Sequence, residues 1–298
     1  MLGEIKKRKL ITNYMTKKLF TAISLVVSIA VFSQKTDKNK SDYAPVEITK
    51  SDGSKMTVLF KRITLPSIST FKEVFGGNQN TNVKIEFKTS ENGPTEKINS
   101  KDIVMLKILD KDQDEIIAFE RLAIRQFDRN NVLKDIKQVL YMPQIYDGKI
   151  SIYGEANFIC QDTSPSRKKN NFTNCEYVHS TFYLKNNDKQ FAVAPLDIKL
   201  FNTNRSFDNF VNAFKAAGKE CSEFNTYLES FRRKMDDKQF QKKIKEDAIS
   251  YRKEVKKKAS ELDLNKEGRL KYIGEKLFFY EAQFYIGIVK EYEKNCPN

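Results

Sequence analysis

Apolar and polar residues alternate in short runs through the first half of the chain, a pattern typical of β-strands that are buried on one face. Two such runs flank the turn signal Asp52-Gly53, a second turn signal lies at Asp147-Gly148, and residues 83–87 alternate strictly. Residues 132–142 fit either a strand or a short helix. Many short strands with turns between them favour an antiparallel β-sandwich or an open barrel.

The apolar spacing becomes helical near residue 206. Two long apolar stripes then cover residues 240–262 and 270–292, with a break at 263–268. Two long amphipathic helices with a short connection should pack antiparallel, as a helical hairpin or part of a bundle. The second helix is apolar on more than one side, so we expect it to lie between its partner helix and the strands. The predicted fold class is therefore α+β, with the β-sandwich or open barrel first and the helices after it.

The amino-terminal pattern is that of a secretory signal peptide. Lys17 and Lys18 precede an uncharged apolar run that ends at Phe32, and this run is short for a membrane span. We predict cleavage after Ser33, which leaves no stable transmembrane anchor; the alternative is an uncleaved anchor helix. The predicted organisation is a signal peptide at 1–33, a flexible leader at 34–45, a β-rich domain at 46–203 and an α-helical region at 204–298.

Positive charge is concentrated in the signal region and in one predicted helix. The chain has a net charge of +14, and residues 1–33 carry six basic residues and one acidic residue, which leaves about +9 on the mature chain. A second basic group lies mostly off the apolar stripe of its helix and predicts a face for an anionic partner. Its members are Lys242, Lys243, Lys253, Lys256 and Lys257. The alternative interpretation is a solvated face that is balanced by Glu246, Asp247 and Glu254. Nucleic acid is not expected as the partner, because the chain is exported and shows no recognition fold.

Four cysteines remain after the predicted cleavage, and an even number in an exported chain indicates disulfide bonds. Three pairings are possible. We favour Cys160–Cys175, which closes a short loop between two strands, and Cys221–Cys296, which ties the start of the helical region to the end of the sequence. The cysteines lack the spacing of metal ligands, so neither a metal nor another cofactor is predicted.

Two features have weak catalytic potential. Residues 110–115 resemble the opening of a calcium loop, but Glu115 stands where glycine is needed and Arg121 where an acidic ligand is needed, so an acidic turn is the better interpretation. His179 is the only histidine, and a strand would separate it from Cys175, which favours a structural role. A pair of carboxylates from distant positions stays open, because such pairs have no sequence spacing. The catalytic residues, if any, are unknown.

Several segments carry a resemblance to a family. They are the signal ending Phe32-Ser33-Gln34, the strand–turn–strand at 48–60, the segments 146–153 and 288–296, and the surroundings of Cys221. The chain resembles an exported protein type of Flavobacteria and related Bacteroidota. The resemblance implies a location in the envelope and a layout of strands followed by helices, and it carries over no activity and no catalytic residue. Without a β-rich sorting domain at the end of the sequence, the periplasm is the expected location.

These observations lead to two function hypotheses. The first is an exported, non-catalytic envelope protein, periplasmic or secreted, that binds a partner protein or an anionic cell-envelope polymer. The alternative is a secreted hydrolase with dispersed catalytic carboxylates. A concave pocket with converging ionisable groups would indicate the enzyme, and a flat or grooved apolar patch would indicate the binding protein.

Overall fold

Ten strands precede four helices in a computed structural model that describes residues 41–66, 71, 75, 83–109, 118–128, 130–161, 174–194 and 204–296. The strands are β1 (Tyr43–Lys50), β2 (Lys55–Lys61), β3 (Lys84–Lys88), β4 (Thr95–Asn99), β5 (Ile103–Ile108), β6 (Ala118–Phe127), β7 (Leu133–Tyr146), β8 (Ile150–Gln161), β9 (Asn174–Asn186) and β10 (Phe191–Val193). The helices are α1 (Asn204–Ala217), α2 (Ser222–Met235), α3 (Lys238–Glu261) and α4 (Lys266–Asn295). This order confirms the α+β prediction. The predicted signal peptide lies outside the described residues.

Strands β6 to β10 form a closed barrel. The sheet runs in the order β10-β9-β8-β7-β6-β5-β1-β2-β3-β4, and β10 also pairs with β6. That additional pair is parallel, with Phe191 opposite Ala123, and it closes a ring of five strands. The sequence favoured a sandwich or an open barrel because hairpin signals are local, whereas this parallel pair joins distant segments. Strands β5, β1, β2, β3 and β4 continue the sheet beyond the ring.

The first hairpin forms at the predicted turn. Gly53 has a φ of 81° between β1 and β2, a conformation that favours glycine. Strand β1 begins at Tyr43 rather than at Val46, since Tyr43 already pairs with Lys61 of β2. The ambiguous residues 132–142 belong to strand β7. An irregularity in its pairing with β6 accompanies Lys137, whose φ is 53° and whose N–H donates to the Asp135 carboxylate at 2.7 Å.

The core of the described residues has two hydrophobic clusters: the first is shared by the barrel strands and the strands that continue the sheet, and the second lies between barrel and helices. Each of the five barrel strands contributes a buried side chain to the first: Leu122, Met142, Tyr153, Tyr183 and Ala192. The second contains the residues of opposite strand parity, such as Ile152 and Leu184, together with the apolar faces of the helices. Because strands and helices share this cluster, residues Asp42–Asn298 form one compact unit.

Helix α4 is covered on two sides. Toward the barrel, the Phe278 and Phe182 rings stack with centroids 5.4 Å apart. Gly274 lets the helix approach closely there, because a Cβ at this position would lie 2.5 Å from the Phe158 ring. On the opposite side, the ring centroids of Tyr280 and Tyr251 of α3 are 4.2 Å apart, and those of Phe284 and Phe231 of α2 are 5.7 Å apart. These contacts confirm the predicted position of the helix between strands and a neighbouring helix. No helix among the described residues is long and apolar enough to cross a membrane.

One predicted disulfide is confirmed and the other stays a prediction. The sulfur atoms of Cys221 and Cys296 are 2.10 Å apart and their Cα atoms 6.1 Å apart, so the start of α2 is linked to the end of α4. Cys160 lies directly opposite Cys175 in the register of β8 and β9. Their side chains lie outside what the structure describes.

Candidate functional site

Helix α3 presents most of its surface to solvent. Val255 and Ala259 are its only fully buried residues, and its apolar stripe packs against α4. The five lysines predicted to meet an anionic partner are all exposed. At about 100° of rotation per residue, the charges on either side of the buried stripe can be assigned to one flank or the other.

The two flanks of α3 differ in charge. One of them, here named the basic flank, holds seven cationic side chains: Lys238, Lys242, Lys245, Arg252, Lys253, Lys256 and Lys257. Glu246 is the single acidic residue on that flank. The opposite flank mixes both signs, with Lys243, Asp247, Glu254, Lys258 and Glu261. Positive charge is therefore concentrated on one flank of the helix and is not distributed evenly around it.

Ion pairs neutralise more of the charge on the mixed flank than on the basic flank. On the mixed flank, Lys243 lies 3.4 Å from Asp247 and Lys258 lies 2.8 Å from Glu254. On the basic flank, Lys242 lies 3.7 Å from Glu246. The other basic-flank residues of α3 have no ion-pair partner among the described residues: Lys238, Lys245, Arg252, Lys253, Lys256 and Lys257. Four of the five predicted site residues thus share one flank, and Lys243 belongs to the other.

A second group of polar side chains, here named the barrel-end cluster, was not found by sequence reasoning. It consists of Glu120 of β6, Tyr153 of β8 and Lys185 of β9. Lys185 Nζ donates to Glu120 Oε1 at 2.7 Å, and the Tyr153 hydroxyl donates to Glu120 Oε2. The two charged side chains are only 9% and 15% exposed, Glu120 and Lys185 respectively. Burial raises the pKa of Tyr153 well above its usual range, and the adjacent Glu120 carboxylate raises it further.

Polar contacts continue from this pair toward the turn between β7 and β8. Gln144 Nε2 donates to Asp147 Oδ1 at 3.2 Å and to Ser151 Oγ at 3.3 Å. The available sequence signal was parity: Glu120 alternates with the buried Leu122 and Ile124, so a charged side chain occupies an inward position of its strand. Both Glu120 oxygens already have donors, which supports a structural ion pair more than a carboxylate directed at a substrate.

The end of α4 is fastened to the same β7–β8 turn. Glu293 accepts hydrogen bonds from the Tyr146 hydroxyl at 2.7 Å and from the Lys149 N–H at 3.1 Å. Lys149 Nζ donates to the carbonyl of Cys296 at 3.0 Å. Burial raises the pKa of Tyr146 to about 12, with help from its hydrogen bond to Glu293. The predicted turn at Asp147-Gly148 is therefore also a docking point for the helix.

Two partly buried tyrosines predict a loss of stability at alkaline pH. Burial, with a negative charge nearby, raises the pKa of Tyr146 and of Tyr227 to about 12. A raised pKa means that the folded state favours the protonated phenol, so this stability is complete below about pH 10 and is lost as the pH rises through about 12. We expect the urea midpoint to fall over that window, together with the rise of tyrosinate absorbance. Tyr146→Phe should flatten part of the fall, and free titration near pH 10 in an intact fold would contradict the prediction.

The remaining sequence candidates carry no described site. Residues 110–115 lie outside the described residues. His179 lies on β9 opposite Asn157 of β8, and Cys175, on the same strand, lies opposite Cys160. Within the described ranges, no three His, Cys, Asp or Glu side chains are grouped to hold a metal ion.

Comparisons with known proteins give no relative for this chain. No family model matches it, and neither a curated protein nor a solved structure matches it. The geometry of the chain itself is therefore the basis for a functional proposal.

Proposed function

We propose that this protein is a non-catalytic, exported envelope protein that binds an anionic partner through the basic flank of α3. The observation that carries the proposal is the charge separation on this helix. The basic flank has seven exposed cations and one carboxylate, whereas on the other flank Asp247 and Glu254 pair with lysines. In this proposal α3 and α4 form an antiparallel hairpin, and the barrel serves as the rigid support to which α4 is fixed.

The physical basis is attraction between unpaired surface cations and a dense array of negative charge. Exposed charges act over about 8 Å at physiological ionic strength, so several cations on one flank reach the same anionic surface together. Surface ion pairs within a helix contribute little to its stability, so stability alone does not account for the excess of cations on this flank.

Reversal of three charges on the basic flank tests the proposal. Lys242→Glu, Lys253→Glu and Lys257→Glu together should weaken binding to cell-envelope fractions by at least about 100-fold, because each lysine contributes about 1 kcal/mol near an anionic surface and each glutamate adds repulsion. Binding by the unchanged protein should fall as salt rises, because the charges are exposed and screened. The melting temperature should change little, since these side chains lie off the buried stripe. Co-sedimentation across a salt series measures the binding.

A matched triple variant separates position from net charge. Lys61→Glu, Lys84→Glu and Lys101→Glu reverse three exposed lysines that lie outside the four α-helices. We expect this variant to bind nearly as the unchanged protein does. Equal loss in both triple variants would mean that net charge alone drives the association, and salt-independent binding by the first variant would remove the basic flank from the proposal.

The second candidate, a secreted hydrolase, rests on one observation, the buried carboxylate of Glu120 at an inward position of β6, although both of its oxygens already have donors. It is supported if purified protein turns over a glycan, ester or peptide and Glu120→Gln abolishes turnover while the fold is kept. Loss of turnover together with unfolding would instead support the structural role of Glu120.

A further inference from the structure

An isoleucine lies in the middle of the basic flank. Ile249 is 46% exposed, although the apolar stripe of α3 faces α4. Residues three, four and seven positions away are its neighbours on the helix surface. Those neighbours are Lys242, Lys245, Glu246, Arg252, Lys253 and Lys256. Five of these six side chains are cationic, so an apolar centre is surrounded by positive charge.

This arrangement matches the chemistry of a phospholipid surface. Lysine and arginine side chains extend their ammonium and guanidinium groups outward to phosphates while their alkyl stems cover apolar surface. An apolar residue between them can enter the boundary between headgroups and acyl chains. A soluble polyanion offers the same charges but no apolar phase for Ile249. Exposed apolar residues are common singly, so the inference depends on the position of this one inside the ring of cations.

The length of the patch fits a helix lying along a surface. Lys242 and Lys256 are fourteen residues apart, which is about 21 Å along the helix axis. The basic flank and the buried stripe point in different directions around the helix, so contact with a flat surface leaves the packing of Val255 and Ala259 against the rest of the protein undisturbed.

We infer that the anionic partner of the basic flank is the phospholipid surface of an envelope membrane, with Ile249 inserted between the headgroups. This inference rests on the proposed function and adds the chemical class of the partner. The protein then binds as a peripheral protein, held jointly by charge and by one apolar contact.

Vesicle binding by an isoleucine variant tests the inference. The probes are vesicles of phosphatidylcholine, vesicles that also contain phosphatidylglycerol, and soluble polyphosphate. Ile249→Gln keeps helix propensity and removes the apolar contact. It should weaken binding to the phosphatidylglycerol vesicles about tenfold and leave polyphosphate binding unchanged. Ile63→Gln, at a residue 86% exposed in the short 3-10 turn Arg62–Thr64, is the matched control and should change neither.

The outcomes separate the two proposals. All variants are purified from the same exporting cells, so that the amino-terminal segment is processed in the same way in each of them. If Ile249→Gln binds the phosphatidylglycerol vesicles as tightly as the unchanged protein, or if those vesicles bind no better than phosphatidylcholine alone, the lipid inference is overturned. If the triple lysine reversal also leaves polyphosphate and vesicle binding intact, the proposed function fails as well.

Discussion

Lys185→Met should lower the free energy of unfolding by about 3 kcal/mol, because it leaves the Glu120 carboxylate buried without its cation. Glu120 keeps the Tyr153 hydroxyl as a donor, but a hydrogen bond from an uncharged hydroxyl does not replace an ammonium group at 2.7 Å. Urea unfolding followed by circular dichroism measures the change, and tyrosine fluorescence can follow the transition because the chain has no tryptophan.

A second substitution identifies the cause of this loss. Adding Glu120→Gln to Lys185→Met removes the unpaired charge and should recover a large part of the lost stability. The matched control is Lys55→Met, which breaks a surface pair with Glu47 in which the lysine side chain is 63% exposed, and it should cost less than about 1 kcal/mol. Equal losses at Lys185 and Lys55, or no recovery in the double variant, would show that burial of the pair has no energetic consequence.

Cys221→Ser should cost about 4 kcal/mol of stability, because the disulfide closes a loop over a sequence separation of 75 residues and restricts the unfolded chain. The melting temperature should fall, and Cys296 should become reactive to alkylation. Both readouts are needed, since the first reports the energy of the cross-link and the second reports the identity of the partner.

The double variant Cys221→Ser, Cys296→Ser controls for the thiol that a single substitution releases. It should be about as unstable as Cys221→Ser, because the same cross-link is missing. Four free thiols in the denatured, unreduced protein, or an unreactive Cys296 in the single variant, would contradict the pairing.

The helical half was predictable from the sequence in most respects. Helix packing buries one stripe at a period that the sequence displays directly, so the two long helices and their break were evident. The pairing of Cys221 with Cys296 followed from that layout. The β1–β2 hairpin was predictable for a similar reason, since Gly53 supplies a local signal.

Barrel closure was not predictable, because its decisive pair joins residues 191–193 to residues 123–125. Strand periodicity tells which side chains share a face, but not which strands become neighbours in a sheet. For the same reason the sequence did not reveal the barrel-end cluster, whose three members come from three strands. Short-range spacing carried no information on where Glu120, Tyr153 and Lys185 would meet.

The basic flank was predictable in part. The lysines were predicted to lie mostly off the apolar stripe, but adjacent residues on a helix point about 100° apart. Lys242 and Lys243 therefore fall on different flanks, and Lys243 pairs with Asp247. Ile249 carried no signal on its own, since its importance comes from the cations that surround it.

Helix α4 covers the outer apolar face of β8 and β9 but follows both strands in the chain by some eighty residues or more. During synthesis from the amino terminus, Ile150, Ile152, Phe182 and Leu184 emerge well before the helix that shields them. The growing chain thus exposes these apolar side chains while roughly eighty further residues are synthesised. The order of elements along the chain therefore predicts that the docking of α4 is a late step of folding.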